Sequence, residues 1–239
     1  MHQKAPPDQP DPNPKADLFA GVRLLIFDFD GVVADSEVIS LQTLQDALSR
    51  FGIDLSLQEV RDRFLGRSLA TVEAFLRDHH SSDTPSGFAD HWQDTLYARF
   101  RAELMPVAGI HTLLAALDRD GIPYCIASSG THERIGVALD AMRMALQFRD
   151  VFSAEQVTRG KPDPDLFLFA ASQVGVAPQD CLVIEDSLYG VRAAKAAGMR
   201  CIGFVGGSHL SGAQASHADM LSRAGADHVV EAFADLPFG

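Results

Sequence analysis

Five short apolar runs limit what this chain can fold into: LLIF at 24–27, YCIAS at 124–128, CLVI at 181–184, CIGFV at 201–205 and HVV at 228–230. Each is long enough for a strand and too short for a helix, and stretches of helical periodicity lie between them. Strands without a polar face are buried on both sides, as in a parallel sheet covered by helices. The expected class is therefore α/β, with a Rossmann-like parallel-sheet core.

About 100 residues separate the first two runs, far more than a simple crossover needs. Within that interval Leu41, Leu44 and Leu48, then Val60 and Phe64, then Leu69, Val72 and Leu76 recur at helical spacing. Breaks at FGIDLS, FLGRS and HHSSDTPSG divide the interval into four helices. The expected organisation is an α/β core over 21–34 and 108–239, interrupted by a helical cap over 35–107. The linkers would lie near Ala34, Asp35, Pro106 and Val107. Five prolines precede Lys15, so residues 1–20 are expected to be a disordered extension, with no function assigned to it.

The chain has 239 residues, 46% of them hydrophobic, enough to bury a substantial core. Its net charge of -12 argues against nucleic-acid or anionic-membrane partners, so an anionic ligand must be held by local groups or a metal. No run approaches the roughly 20 apolar residues of a membrane span, and the opening residues lack the apolar core of a secretory signal. Cys125, Cys181 and Cys201 sit in apolar runs and read as buried free thiols. A cytoplasmic protein fits these features.

The chemistry gathers where the runs end. LLIF leads into Asp28 and Asp30, two residues apart, followed by Gly31. Strand geometry would put both carboxylates on one side, and ligands in open α/β sheets bind at these carboxyl ends. Alone, this pair reads equally well as a strand ending in turn-forming residues. The other ends weigh against that reading. CLVI leads into Glu185 and Asp186. YCIAS ends in Ser128 and Ser129, hydroxyl and amide donors before a helix expected over 131–142, and RGKPDPDLF supplies Lys161 ahead of another helix. Four crowded carboxylates need a cation, and Mg2+ suits oxygen ligands. Metal, lysine and hydroxyls together suit a transferring phosphoryl group.

DFDGVVADSE, ASSG, GKPDPDLF and VIEDSLYGVRAAKAAGM resemble, in order and spacing, the four motifs of the haloacid dehalogenase-like hydrolase superfamily. The helical insert resembles that of its small-cap subgroup, which contains sugar-phosphate phosphatases and β-phosphoglucomutase. The resemblance implies that Asp28 is the nucleophile, forming an aspartyl phosphate, and that Asp30 is the general acid and base. It also implies Asp28, Asp186, the Asp30 carbonyl and Glu185, directly or through water, as Mg2+ ligands, and Ser128, Ser129 and Lys161 as phosphate-binding groups. Glu37 and the cap-loop Arg67 are candidate specificity residues, although Arg67 reads slightly better as a solvated loop side chain.

The complete DxD pair sets the chain apart from the dehalogenases, which lack the second aspartate. The absence of any lysine between Lys15 and Lys161 excludes the Schiff-base chemistry of phosphonoacetaldehyde hydrolase. Ser40, Leu65 and Leu69 stand where the mutase carries histidine, lysine and arginine. The expected function is a Mg2+-dependent phosphatase of a small phosphorylated metabolite such as a sugar, sugar-acid or sugar-alcohol phosphate, acting as a monomer or weak dimer. A mutase-like isomerase and a non-catalytic ligand-binding homologue are the alternatives. Elsewhere, His79, His80 and Asp83 read as a polar loop rather than a metal cluster. Trp92, Tyr97 and Phe100 read as packing residues, and Gly206, Gly207, Ser208 and His209 as a connecting loop. Asp163 and Asp165 could brace Lys161 or begin a helix.

Overall fold

The computed structural model describes residues 19–65, 69–80 and 87–237. Arg67, Asp83 and nearly all of the expected N-terminal extension lie outside the described residues.

Strands β1 (Leu24–Phe27), β2 (Tyr124–Ser128), β3 (Val151–Ser153), β4 (Cys181–Glu185), β5 (Arg200–Phe204) and β6 (His228–Val230) form one sheet. Its order is β3-β2-β1-β4-β5-β6, and every pairing is parallel. The two-residue period of a strand divides the core. Leu25, Phe27, Ile126, Leu182, Ile184 and Ile202 belong to one buried cluster, while Leu24, Ile26, Cys125, Cys181, Val183 and Cys201 belong to the other. All three cysteines are buried free thiols.

Helices α1 (Glu37–Arg50), α2 (Leu57–Phe64), α3 (Leu69–His80) and α4 (Phe88–Glu103) follow β1. They have a core of their own, built from Leu41, Leu44, Leu48, Val60, Phe64, Val72, Leu76 and Phe88. Phe100 and Tyr97 of α4 are instead buried with the sheet cluster. The two connections to the sheet run side by side: the Asp35 amide donates to the Met105 carbonyl at 3.0 Å and the Val107 amide to the Val33 carbonyl at 2.9 Å. Helices α5 (Ile110–Asp120) and α6 (His132–Ala141) complete one side of the sheet, and α7 (Asp165–Val174), α8 (Leu188–Ala196) and α9 (Gln214–Ala224) the other. No helix among the described residues is long and apolar enough to cross a membrane.

Several expected boundaries move. Glu185 is the last residue of β4 rather than the first beyond it, and β5 begins at Arg200 and ends at Phe204. Thr131 caps α6 rather than entering it, its side chain accepting from the Arg134 amide at 3.2 Å. The strand β3 was not expected from the sequence. The break in strand order lies between β1 and β4, whose connections leave in opposite directions and open a crevice at their carboxyl ends. Asp28 follows β1 and Asp186 follows β4, so chain segments more than 150 residues apart meet there.

Candidate active site

The crevice begins with Asp28, which lies one residue beyond β1 and is 8% exposed. Its Oδ1 accepts from Lys161 Nζ at 2.5 Å, and the same ammonium donates to Glu185 Oε1 at 2.8 Å. Glu185 Oε2 accepts from the Ser187 amide at 2.6 Å, so both oxygens of this fully buried carboxylate have donors. Oxygens of Asp28, Glu185 and Asp186 lie within 4.8 Å of one another. These are hard carboxylate donors, which could hold a hard divalent cation.

Two glycines make this crowding sterically possible. A Cβ on Gly31 would stand 2.0 Å from Asp186 Oδ2, and Gly31 itself has φ near +80°, a conformation unfavourable for other residues. A Cβ on Gly190, in the first turn of α8, would stand 1.6 Å from Glu185 Oε1. The glycine of DFDG and that of SLYG therefore leave room for the carboxylates.

The electrostatics follow from burial. Loss of hydration pushes Asp28 up to about 7; Lys161 opposes this and Glu185 adds to it. Asp186 is also raised, first by burial and then by Glu185 and Asp28. For Lys161, burial works against the charge, but Asp28 and Glu185 outweigh it and hold the group protonated. Glu37 in α1 is pushed up to about 7 by burial and then by Asp30.

Asp30 has a different set of partners. Its Oδ1 accepts from the Ser36 hydroxyl and, at 2.7 Å, from Arg134 Nη2 in α6. Arg134 Nη2 also donates to the Ser40 hydroxyl at 3.1 Å, and its guanidinium lies 5.4 Å from the centre of the Phe100 ring. Burial disfavours the Arg134 charge, but Asp30 more than offsets this and raises its proton affinity. The two carboxylates of DFD thus face different cations, Lys161 and Arg134. Arg134 was not singled out from the sequence.

Ser128 is 1% exposed at the end of β2, and its Oγ accepts from the Gly130 amide at 3.0 Å. Ser153 Oγ braces this turn by donating to the Gly130 carbonyl at 2.6 Å. Ser129 is exposed beside it. Asp163 and Asp165 pair with Arg159, at 3.2 and 2.8 Å, rather than with Lys161.

The segment GGSH departs from the loop expected of it. Ser208 donates from both its amide and its hydroxyl to Asp35 Oδ1, at 3.0 and 2.8 Å. His209 is 4% exposed, with Nε2 3.3 Å from Asp186 Oδ2. Burial is the main cause holding its proton affinity down, to about 4, with His217 and Arg61 adding to the effect. His217 Nε2 lies 2.6 Å from the Asp186 carbonyl, which accepts from it. Between these groups and the helical insert lies a cleft of about 450 Å³, lined among others by Glu37, Arg61, Leu65, Asp186, Tyr189 and His217. Among the expected site residues, Asp28, Lys161, Glu185 and Asp186 converge at the carboxyl ends of the strands, Ser128 ends the neighbouring β2, Asp30 turns to Arg134, and Glu37 lines the cleft.

Residues 25–204 match the family of haloacid dehalogenase-like hydrolases. A 6-phosphogluconate phosphatase of Escherichia coli (strain K12) is 30% identical over 190 residues, covering 79% of this chain and 85% of that protein. A probable pseudouridine-5'-phosphatase of Drosophila melanogaster is 31% identical over 224 residues, covering 87% and 92%. Among solved structures, a HAD family hydrolase from Deinococcus radiodurans R1 with bound phosphate and sodium superimposes with a TM-score of 0.72 at 33% identity, covering 91% of this chain and 94% of that one.

Proposed function

Because the chain belongs to the haloacid dehalogenase-like hydrolase family, we propose that it is a Mg2+-dependent phosphatase of a small phosphorylated metabolite, a sugar, sugar-acid or sugar-alcohol phosphate. The observation that carries this reading is the buried ammonium of Lys161, 2.5 Å from Asp28 and 2.8 Å from Glu185, in a carboxylate cluster whose third member, Asp186, lines the cleft between sheet and helices. The resemblance of sequence to named phosphatases supports it.

An oxygen of Asp28 attacks phosphorus, the bond to the ester oxygen breaks, and Asp30 gives its proton to the departing alkoxide. Water then attacks the aspartyl phosphate and loses a proton to Asp30, releasing inorganic phosphate and restoring Asp28. Ser36 and Arg134 hold Asp30 Oδ1, which leaves Oδ2 for proton transfer. Lys161, Ser128 and Ser129 face the phosphoryl oxygens. Asp28 and Asp186 would hold Mg2+ with the Asp30 carbonyl; Glu185, whose oxygens already have donors, would act through water. Bound there, the cation neutralises phosphoryl charge. The helices over 35–107 act as a cap that keeps water from the first step.

Isomerisation fits less well. The Ser40 hydroxyl donates to the Ser36 carbonyl at 2.8 Å, with Arg134 filling the space beside it, and Leu65 lines the cleft. These replace the polar groups that would hold a sugar for phosphate return. Phosphate release measured across phosphorylated sugars, sugar acids, polyols and nucleotides tests the proposal; conversion of a sugar phosphate to an isomer without free phosphate would overturn it.

Chelation with EDTA is expected to suppress activity, and Mg2+ to raise the Tm of the metal-free protein more at about pH 8 than at about pH 5.5. Burial pushes Asp28 and Glu37 up to about 7 and raises Asp186 as well. The folded state therefore holds more protons than the unfolded one between about pH 4 and 7, and loses stability as pH rises through that window. A cation on the ionised carboxylates offsets this loss, whereas at lower pH it must displace protons. Calorimetric scans giving the same Mg2+ gain at both pH values would contradict the assignment.

Arg134→Gln should slow hydrolysis of alkyl phosphates about tenfold more than that of p-nitrophenyl phosphate, because nitrophenolate departs without a proton and depends little on Asp30. Arg134→Lys should restore part of the difference. Equal losses on both substrate classes would reduce Arg134 to a packing role.

A further inference from the structure

We propose that His209 is a positioning residue for the metal site: its imidazole orients Asp186 and thereby sets the affinity for Mg2+. This rests on the reading of Asp186 as a Mg2+ ligand.

The geometry provides for this imidazole specifically. A Cβ on Gly207 would meet His209 Cε1 and Nδ1 at 2.8 Å, and a Cβ on Gly31 would meet Cε1 at 2.9 Å. Both glycines border the imidazole, and Gly31 is also the glycine that makes room for Asp186 Oδ2. The ring is thus wedged between the turn after β1 and the segment after β5, against a carboxylate that follows β4. Ser208 fixes that segment from the other side through its two bonds to Asp35.

A neutral imidazole carries one N–H. His209 Nδ1 is buried without a partner, while Nε2 lies 3.3 Å from Asp186 Oδ2, so a hydrogen on Nε2 is the one on the side of the carboxylate. With His217 on the Asp186 carbonyl, the residue is held at both its backbone and its side chain. His209 borders the cleft, but its side chain is only 3% exposed and packs against Asp186, so its main effect is exerted through that carboxylate. Partners of this kind around metal-ligating carboxylates typically change metal affinity 10- to 100-fold when removed, that is, by about one to two orders of magnitude.

His209→Leu keeps approximate volume and removes the donor; His209→Gln keeps a donor at a comparable reach. Isothermal titration of the metal-free, full-length protein with Mg2+ should show the Kd raised roughly 10-fold or more in His209→Leu and returned most of the way by His209→Gln. At saturating Mg2+, kcat should approach that of the wild type. In the wild-type protein, the His209 imidazole 15N resonances should move with Mg2+ along the calorimetric binding curve, a readout that stands even if His209→Leu does not fold. A His209→Leu Kd within about twofold of wild type, or His209 resonances that stay still at saturation, would overturn the inference. An unchanged Kd with a raised KM would overturn it in favour of substrate contact. Failure of the wild type itself to bind Mg2+ would instead remove the metal reading beneath it.

Discussion

Asp28→Asn is expected to lower phosphate release by at least about 10³-fold at saturating substrate and Mg2+, with the fold retained. The amide has nearly the volume of the carboxylate but is a poor nucleophile, and no other described carboxylate stands in its place: Asp30 is held by Arg134 and Ser36, and Glu185 by Lys161 and Ser187. The stability effect should be small because two contributions oppose. Lys161 loses one partner but keeps Glu185 at 2.8 Å, while the cost of burying a carboxylate raised to about 7 disappears. A Tm within about 5 °C of the wild type is expected. Phosphate release and calorimetry on the same preparation separate the two effects. Undiminished release from a folded variant would remove Asp28 as nucleophile and, with it, the aspartyl-phosphate route.

Much of this site was legible because a parallel sheet places the carboxyl ends of its strands together. Asp28, Ser128, Glu185 and Asp186 each end or follow an apolar run, so predicting the runs nearly predicts the cluster. What remained hidden depends on approaches across long stretches of chain. Arg134 lies 104 residues from Asp30, in a helix whose sequence, HERIG, reads as an ordinary polar first turn. Nothing local says that its guanidinium reaches back over Phe100. His209 was obscured for another reason. Paired glycines before Ser208 and His209 read as loop chemistry, whereas Gly207 is small because the His209 ring needs the space. The usable signal was a histidine just after a strand's carboxyl end, preceded by residues with no side chain to obstruct it. Strand β3 escaped because a three-residue VFS carries too little pattern to separate from a turn.

Lys161→Met should both abolish activity, by at least about 10³-fold, and destabilise the protein by about 3–5 kcal/mol near neutral pH. The ammonium is 4% exposed and bridges two carboxylates exposed by 11% and 1%, so the methionine leaves buried charge without its cation. Methionine retains the apolar stem that packs near Phe167, whose ring centre lies 4.8 Å from Nζ, so lost packing contributes little. The sign of the pH dependence distinguishes this account from simple loss of packing. Lys161 is the principal group lowering the Asp28 pKa; without it, Asp28 rises above the value of about 7 it has in the wild type. A carboxylate raised further in the folded state makes stability fall more steeply as pH increases. The difference in Tm between wild type and variant should therefore be small at about pH 5, where Asp28 is protonated in both folded forms, and widen towards about pH 8. Saturating Mg2+ should narrow it again, since the ion supplies positive charge to the same carboxylates. A Tm difference that is constant across that range would show that Lys161 stabilises the fold by packing alone, and would remove the argument that its charge holds Asp28 ready to attack.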